Sequence, residues 1–236
     1  MNEQIPLRHR LKMILGQTTW PYAIYIKIRN SKKRYPCART ALTVEGYPRS
    51  ANTFSLYLAR ELFEGELVSS HIHNISSIKA GIRIKAPCVV LIRDGLESVV
   101  SLAQKDGVSS DDRQVLAAYM AQWIQMYEYV EAELEQIALV DFRQLVSMPE
   151  RFLQLLAHLS GRTLSIDHAL KMVASARAKM EAKEAGKAEQ GSSLPREERN
   201  VQKAVYVEAV QSLESSEYAR KLYERLSKEA VDLNHV

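Results

Sequence analysis

Between residues 41 and 141, short apolar runs alternate with longer stretches in which apolar residues return every three or four positions. The short runs are ALTVE (41–45), ELVSS (66–70), PCVVLI (87–92) and IALVD (137–141), and their length and β-branched content predict strands. The intervening stretches, at 53–64, 74–82, 96–105 and 112–135, have the spacing of amphipathic helices. A parallel strand pair needs a long crossover and a helix supplies it. The alternation therefore predicts an α/β fold of three layers, a parallel sheet flanked by helices.

Beyond residue 141 the pattern is helical. SMPE at 147–150 reads as a capping box with Pro149 tolerated in the first turn, and ERFLQLLAHLSG then closes on Gly161. A second helix is expected over 167–182. It leads into EAGKAEQGSSLPREERN (184–200), which has no apolar periodicity and reads as a mobile loop, before helical spacing returns at 201–230. The 236 residues thus suit one domain: an arm at 1–40, a core at 41–161 and a helical C-terminal part at 162–236.

Composition narrows the class. The chain is 46% hydrophobic, enough for a substantial core, yet no run approaches the 18 apolar residues of a membrane span. The first twenty residues are too charged for a signal peptide, so a cytoplasmic location is expected. Cys37 and Cys88 cannot build a disulfide framework, and Cys88 falls inside a strand as an inert thiol. The formal net charge of +4 is uneven: residues 1–40 hold nine Lys or Arg against Glu3 alone, so the remainder carries −4. A solvated basic face is the ordinary reading, and contact with an anionic membrane surface through residues 1–40 is a second one. Nothing suggests a nucleic-acid partner.

The chemistry begins at GYPRSANTF (46–54), which follows the first strand and precedes a helix. Against G-x-x-x-x-G-K-[ST], Gly46 takes the first glycine, Ala51 the second, Asn52 the lysine and Thr53 the hydroxyl. Spacing and context fit a P-loop-like anion site, in which backbone N–H groups, the helix N-terminus and the hydroxyls of Ser50 and Thr53 surround a phosphate. The lysine that reaches the outer phosphates of ATP is missing, which argues against an ordinary NTPase. A second candidate site is RDGLESVVS (93–101), where Arg93 ends the third strand and Ser101 lies eight residues on in the next helix. In open α/β sheets ligands sit at the carboxyl ends of strands, so the two stretches share a rim.

Together these motifs resemble the sulfotransferases that use 3′-phosphoadenosine 5′-phosphosulfate (PAPS) and release adenosine 3′,5′-bisphosphate (PAP). GYPRSANTF is similar to their 5′-phosphosulfate loop, RDGLESVVS to their 3′-phosphate motif, and VDFRQLVSMPERFLQLLAHLSG (140–161) to the strand and helix that follow. The resemblance implies that Arg49, Ser50, Ala51, Asn52 and Thr53 hold the phosphosulfate, with Arg49 stabilising charge as the S–O bond breaks. It implies that Phe54 and Phe142 approach the adenine and that Arg93 and Ser101 take the 3′-phosphate. A late basic segment closes the family's site, for which Lys187, Arg196 and Arg199 are the candidates. No metal is implied. Ala51 departs from the family's glycine, Gly95 from its proline, Glu97 from its aspartate and Ser69 from a lysine.

Transfer to a hydroxyl also needs a base. SSHIHN (69–74) places His71 and His73 just past the second strand, and neutral imidazole suits the task. His71 is preferred because its position matches the family's histidine, and His73 is the close rival. The expected function is sulfuryl transfer from PAPS to a hydroxyl or amine of a small-molecule or glycan acceptor. The rivals are an ATP-dependent phosphotransferase and a non-catalytic, membrane-associated nucleotide-binding protein. Acceptor identity and oligomeric state are unreadable. Tyr22, Tyr25, Tyr119, Trp123 and Tyr127 fit core packing better than a stacking pocket.

Overall fold

The structure is a computed structural model that describes residues 6–28, 35–185 and 203–236. Four strands, β1 (Thr40–Gly46), β2 (Leu67–Ser70), β3 (Cys88–Ile92) and β4 (Ala138–Asp141), form one sheet in the order β2-β1-β3-β4, and every neighbouring pair is parallel. The helices connecting them are α3 (Asn52–Leu62), α4 (Ile75–Arg83), α5 (Gly95–Asp106) and α6 (Arg113–Ala132). Two more, α1 (Leu7–Gly16) and α2 (Thr19–Ile28), precede the sheet. After it come α7 (Phe142–Ser147), α8 (Pro149–Leu159), α9 (Ile166–Ala185), α10 (Lys203–Gln211) and α11 (Ser216–Glu229).

Alternate side chains of the same strands serve two cores, as the period-two geometry of a strand requires. Val90 and Ile92 of β3 pack with α5, α6, α10 and α11 on one face. Val89 and Leu91, with Leu42 and Val44 of β1, pack with α3, α8 and α9 on the other. The sheet is therefore the middle of three layers, and the carboxyl ends of β1, β2 and β3 meet at one rim. All five residues of β3 are buried, which is why its sequence is a continuous apolar run rather than an alternating one.

The basic arm at 1–40 contains two helices, α1 and α2; in α1 the charges of Arg8, Arg10 and Lys12 interrupt the apolar periodicity of LRHRLKMILG. Two readings of the sequence need correction. SMPE is not a capping box. A short helix, α7, intervenes, so the Ser147 hydroxyl donates back to the carbonyls of Arg143 and Gln144, and α8 starts from Met148 with no side-chain cap. The proposed loop at 184–200 begins with two residues that continue α9, and the rest of it lies outside the described residues.

Cys37 is exposed and Cys88 buried. Burial pushes the Cys88 thiol up to about 12, so only about one ten-thousandth of it is thiolate at pH 8. Ellman titration of the native protein should therefore count one thiol, Cys37, with the second appearing only on denaturation. Cys37→Ser should abolish the native signal.

Candidate active site

The loop after β1 is built around backbone geometry that few residues adopt. Arg49 has φ 75° and Ala51 φ 62°, both left-handed, and such a conformation costs a non-glycine residue about 1–2 kcal/mol. Ala51 thus completes the curl that a glycine makes in the related motif, and it does so as the residue before α3. Asn52 fastens the turn from inside by donating from Nδ2 to the Tyr47 carbonyl at 2.9 Å. The first hydrogen bond of α3 runs from Ser55 N–H to the Ala51 carbonyl, so the N–H groups of Asn52, Thr53 and Phe54 stand ahead of it at the positive end of the helix. Gly46 is where β1 passes β3: a Cβ there would lie 2.7 Å from the Leu91 carbonyl oxygen.

Aromatic residues of α6 set the position of this loop. The Tyr127 hydroxyl donates to the Leu91 carbonyl at 2.6 Å and accepts from the Tyr47 N–H at 3.2 Å, while Trp123 donates from Nε1 to the Arg93 carbonyl at 3.1 Å. The Tyr47 hydroxyl donates to the Tyr119 carbonyl at 3.0 Å. Burial pushes the Tyr47 and Tyr127 phenols well above their ordinary range, which keeps both as donors. Tyr119, Trp123 and Tyr127 are therefore core residues that tie the ends of β1 and β3 to α6, and Tyr22 is buried as well. The side chain of Tyr25 is outside the description. Gly95 has its reason here: a Cβ would sit 3.2 Å from the Trp123 ring, space a proline would also claim.

The two candidate anion sites are contiguous. Arg93 donates from Nη1 to the Arg49 carbonyl at 3.0 Å, and Arg49 donates from Nε to the Ser101 hydroxyl at 2.9 Å. Arg93 also pairs through Nε with Glu97 at 3.2 Å and lies over the Phe142 ring at 4.5 Å, and Glu97 is shared with Arg143 at 3.6 Å. The partner of Arg93 is thus Glu97, one helical turn on, and not the adjacent Asp94, which instead caps α5 through the Glu97 N–H. Ser50 and Asn52 are buried, and Asn52 Oδ1 lacks a hydrogen-bond partner among the described residues. Phe54 turns toward α9, where the cation over its ring is Arg177, at 5.9 Å. Lys187, Arg196 and Arg199 lie outside the described residues.

The histidine loop is strained in the same way, with φ 66° at His71 and 58° at His73. Its anchor is Glu45, a fully buried residue that the sequence reading treated only as the end of a strand. One carboxyl oxygen accepts from the Ile72 N–H at 3.1 Å and the other from the His73 N–H at 3.0 Å. The available signal was a carboxylate at the end of the apolar run ALTVE. His73 Nδ1 lies 2.9 Å from the Gly46 carbonyl, which can only accept, so that nitrogen carries the proton. His71 is held between two hydroxyls, Ser70 Oγ at 3.0 Å from Nδ1 and Thr53 Oγ1 at 3.3 Å from Nε2. The second contact joins the histidine loop to the phosphate-type loop. Among the described residues no three His, Cys, Asp or Glu side chains are grouped to hold a metal ion.

No family model and no curated protein matches the sequence. Among solved structures, the chain is similar to mouse sulfotransferase SULT7A1 complexed with PAP, at 10% identity and a TM-score of 0.50, over 80% of this chain and 90% of that one. At that identity the likeness shows a shared fold, the sulfotransferase α/β fold.

The strain at Ala51 is testable. Ala51→Gly removes the left-handed penalty and adds only the flexibility of an unfolded glycine, so urea denaturation should report a gain of about 0.5–1 kcal/mol. A loss of stability would show that the loop does not adopt this curl.

Proposed function

We propose that this protein is a sulfotransferase that takes a sulfuryl group from PAPS and places it on a hydroxyl or amine acceptor. The observation that carries the reading is the contact between the two anion sites, in which Arg93 bonds the backbone of Arg49 and Arg49 bonds Ser101. A ligand with phosphates at both ends of one nucleoside needs two basic sites that close to one another. The sheet supplies them from the ends of β1 and β3, in the region where open α/β sheets bind ligands.

The residues fit the donor chemically. The N–H groups of Asn52, Thr53 and Phe54, the Arg49 guanidinium and the buried hydroxyl of Ser50 offer hydrogen bonds to the phosphosulfate end. Arg93 and Ser101 receive the 3′-phosphate, and the Phe142 ring beneath Arg93 gives an apolar surface beside it. PAPS supplies the sulfuryl group; the acceptor oxygen or nitrogen bonds to sulfur as the donor's S–O bond breaks, and PAP is the product.

His71 is the base in this reading. When its Nδ1–H donates to Ser70, Nε2 carries the lone pair on the side of Thr53 and takes the proton the acceptor loses. His73 has a different task, because its backbone N–H and Nδ1 hold the loop to Glu45 and Gly46. Arg49 has the task of offsetting charge that grows on the leaving oxygen. The acceptor is a small molecule or glycan, and the protein works without a required metal.

The test is transfer of radiolabelled sulfuryl from PAPS to a panel of acceptors. Wild-type protein should label at least one acceptor class. His71→Ala should lower kcat by about 10²- to 10⁴-fold while leaving PAP affinity within about twofold. Full activity in His71→Ala with none in His73→Ala would move the base to His73. ATP binding that depends on magnesium, with no PAP binding, would replace this reading by the phosphotransferase one.

A further inference from the structure

Helix α1 lies on the body of the protein by its less apolar side. His9 is buried, accepts at Nδ1 from Gln122 Nε2 at 3.0 Å, and packs edge-on to Tyr119 with ring centroids 5.7 Å apart. Gly16 is buried too, and a Cβ there would come 3.3 Å from Asn74 Cβ. Leu7, Leu11, Ile14 and Leu15 occupy positions i, i+4, i+7 and i+8, which share one face of a helix. They are 72%, 51%, 60% and 40% exposed. In helix α2, Tyr22 is buried against Ile72 and Tyr35, whereas Trp20 is 73% and Ile24 38% exposed. A surface helix ordinarily turns its apolar stripe to the core. Here α1 turns its stripe away from it, and α2 adds the exposed side chains of Trp20 and Ile24.

We propose that the outer faces of α1 and α2 dock on an anionic lipid bilayer, lying in its interface. Three features select this occupant. The segment 1–40 carries a net formal charge of +8 from nine Lys or Arg and Glu3, which complements anionic headgroups and attracts a polybasic segment to them. A second copy of the chain is disfavoured by the same charge, since a two-fold interface would set one basic segment against the other. Trp20, exposed next to apolar residues, is the side chain most at home at the boundary between headgroups and acyl chains. With ten residues α1 is about 15 Å long, too short to span the bilayer and suited to lie along it. Among the described residues no helix is long and apolar enough to cross a membrane.

The α1–α2 segment also touches the histidine loop. Besides the approach of Gly16 to Asn74, the single Tyr35 O–H lies within hydrogen-bond distance of two carbonyls, Ser76 at 2.9 Å and Thr19 at 3.1 Å, and is shared between α2 and the start of α4. Burial raises the Tyr35 phenol, so it stays protonated and keeps donating. The docking face is thus carried on a structure seated directly against residues 72–76.

The chain has two tryptophans, and Trp123 is fully buried. Trp20 emission therefore reads docking in the unmodified, full-length protein without nucleotide or acceptor, so its outcome is separate from that of the transferase assay. Vesicles containing phosphatidylserine should shift Trp20 emission to the blue, and brominated acyl chains should quench it. Pure phosphatidylcholine vesicles, or about 0.5 M salt, should weaken binding at least about tenfold. Leu11→Glu with Ile14→Glu, both at exposed positions, should weaken it by a similar factor while keeping the circular-dichroism spectrum. The proposal is overturned by an absence of response to anionic vesicles, by equal binding to neutral ones, or by binding that the double substitution leaves unchanged. A concentration-dependent dimer that the double substitution dissociates, without vesicle binding, overturns it in favour of a second copy.

Discussion

The hydrogen bond from Arg93 Nη1 to the Arg49 carbonyl is the contact on which the functional geometry turns. It joins the end of β3 to the loop after β1, and it fixes one cationic side chain to the backbone of another. Arg49 is free to take its left-handed conformation only because its neighbours are held: Tyr127 bridges Leu91 and Tyr47, and Asn52 closes the turn from within. Removing any one of these bonds leaves a buried polar group without its partner, which costs about 1–3 kcal/mol and loosens the pair. The positions of the two guanidinium groups thus follow from the packing of α6 as much as from the loop that carries the motif.

Backbone strain concentrates where the candidate chemistry lies. Of the five described non-glycine residues with positive φ, Arg49, Ala51, His71 and His73 stand on the loops that follow β1 and β2. Each costs stability and each is over-determined by its surroundings, the histidine loop by the two oxygens of Glu45 and the Gly46 carbonyl. Held this way, the imidazole of His71 meets Thr53 of the neighbouring loop without a flexible segment in between. The α1–α2 segment is seated on the same loop through Tyr22, Tyr35 and Gly16, so its exposed apolar side chains and one of the two strained loops are carried by neighbouring parts of the fold.

The sheet and its crossovers were legible in the sequence because a doubly buried parallel strand leaves a compact apolar signature: CVVLI within PCVVLI is β3, and ALTVE lies within β1. The strand-loop-helix turn at 46–54 was legible through its spacing, and the shared rim that brings Arg93 and Ser101 to Arg49 through the order of the strands. What sequence could not supply were contacts that run through backbone or across long separations. Glu45 looks like a strand end until the N–H groups of residues 72 and 73 arrive from 27 and 28 positions away. Gly95 looks like a departure from a motif until Trp123 fills the space beside it. Helix α1 was hidden because Arg8, Arg10 and Lys12 interrupt an apolar period whose face is not the buried one. Phe54 has Arg177 of α9 over its ring, a cation no local spacing announces.

Magnesium-free calorimetric titration of adenosine 3′,5′-bisphosphate into wild type, Arg49→Ala, Arg93→Ala and the double variant tests the central claim, that the two arginines serve one ligand. Binding in the wild type should fall at least about tenfold in each single variant, and by less than the product of the two losses in the double variant, because the Arg93 side chain also positions Arg49. No binding by the wild-type protein, or affinity indifferent to both substitutions, would contradict it.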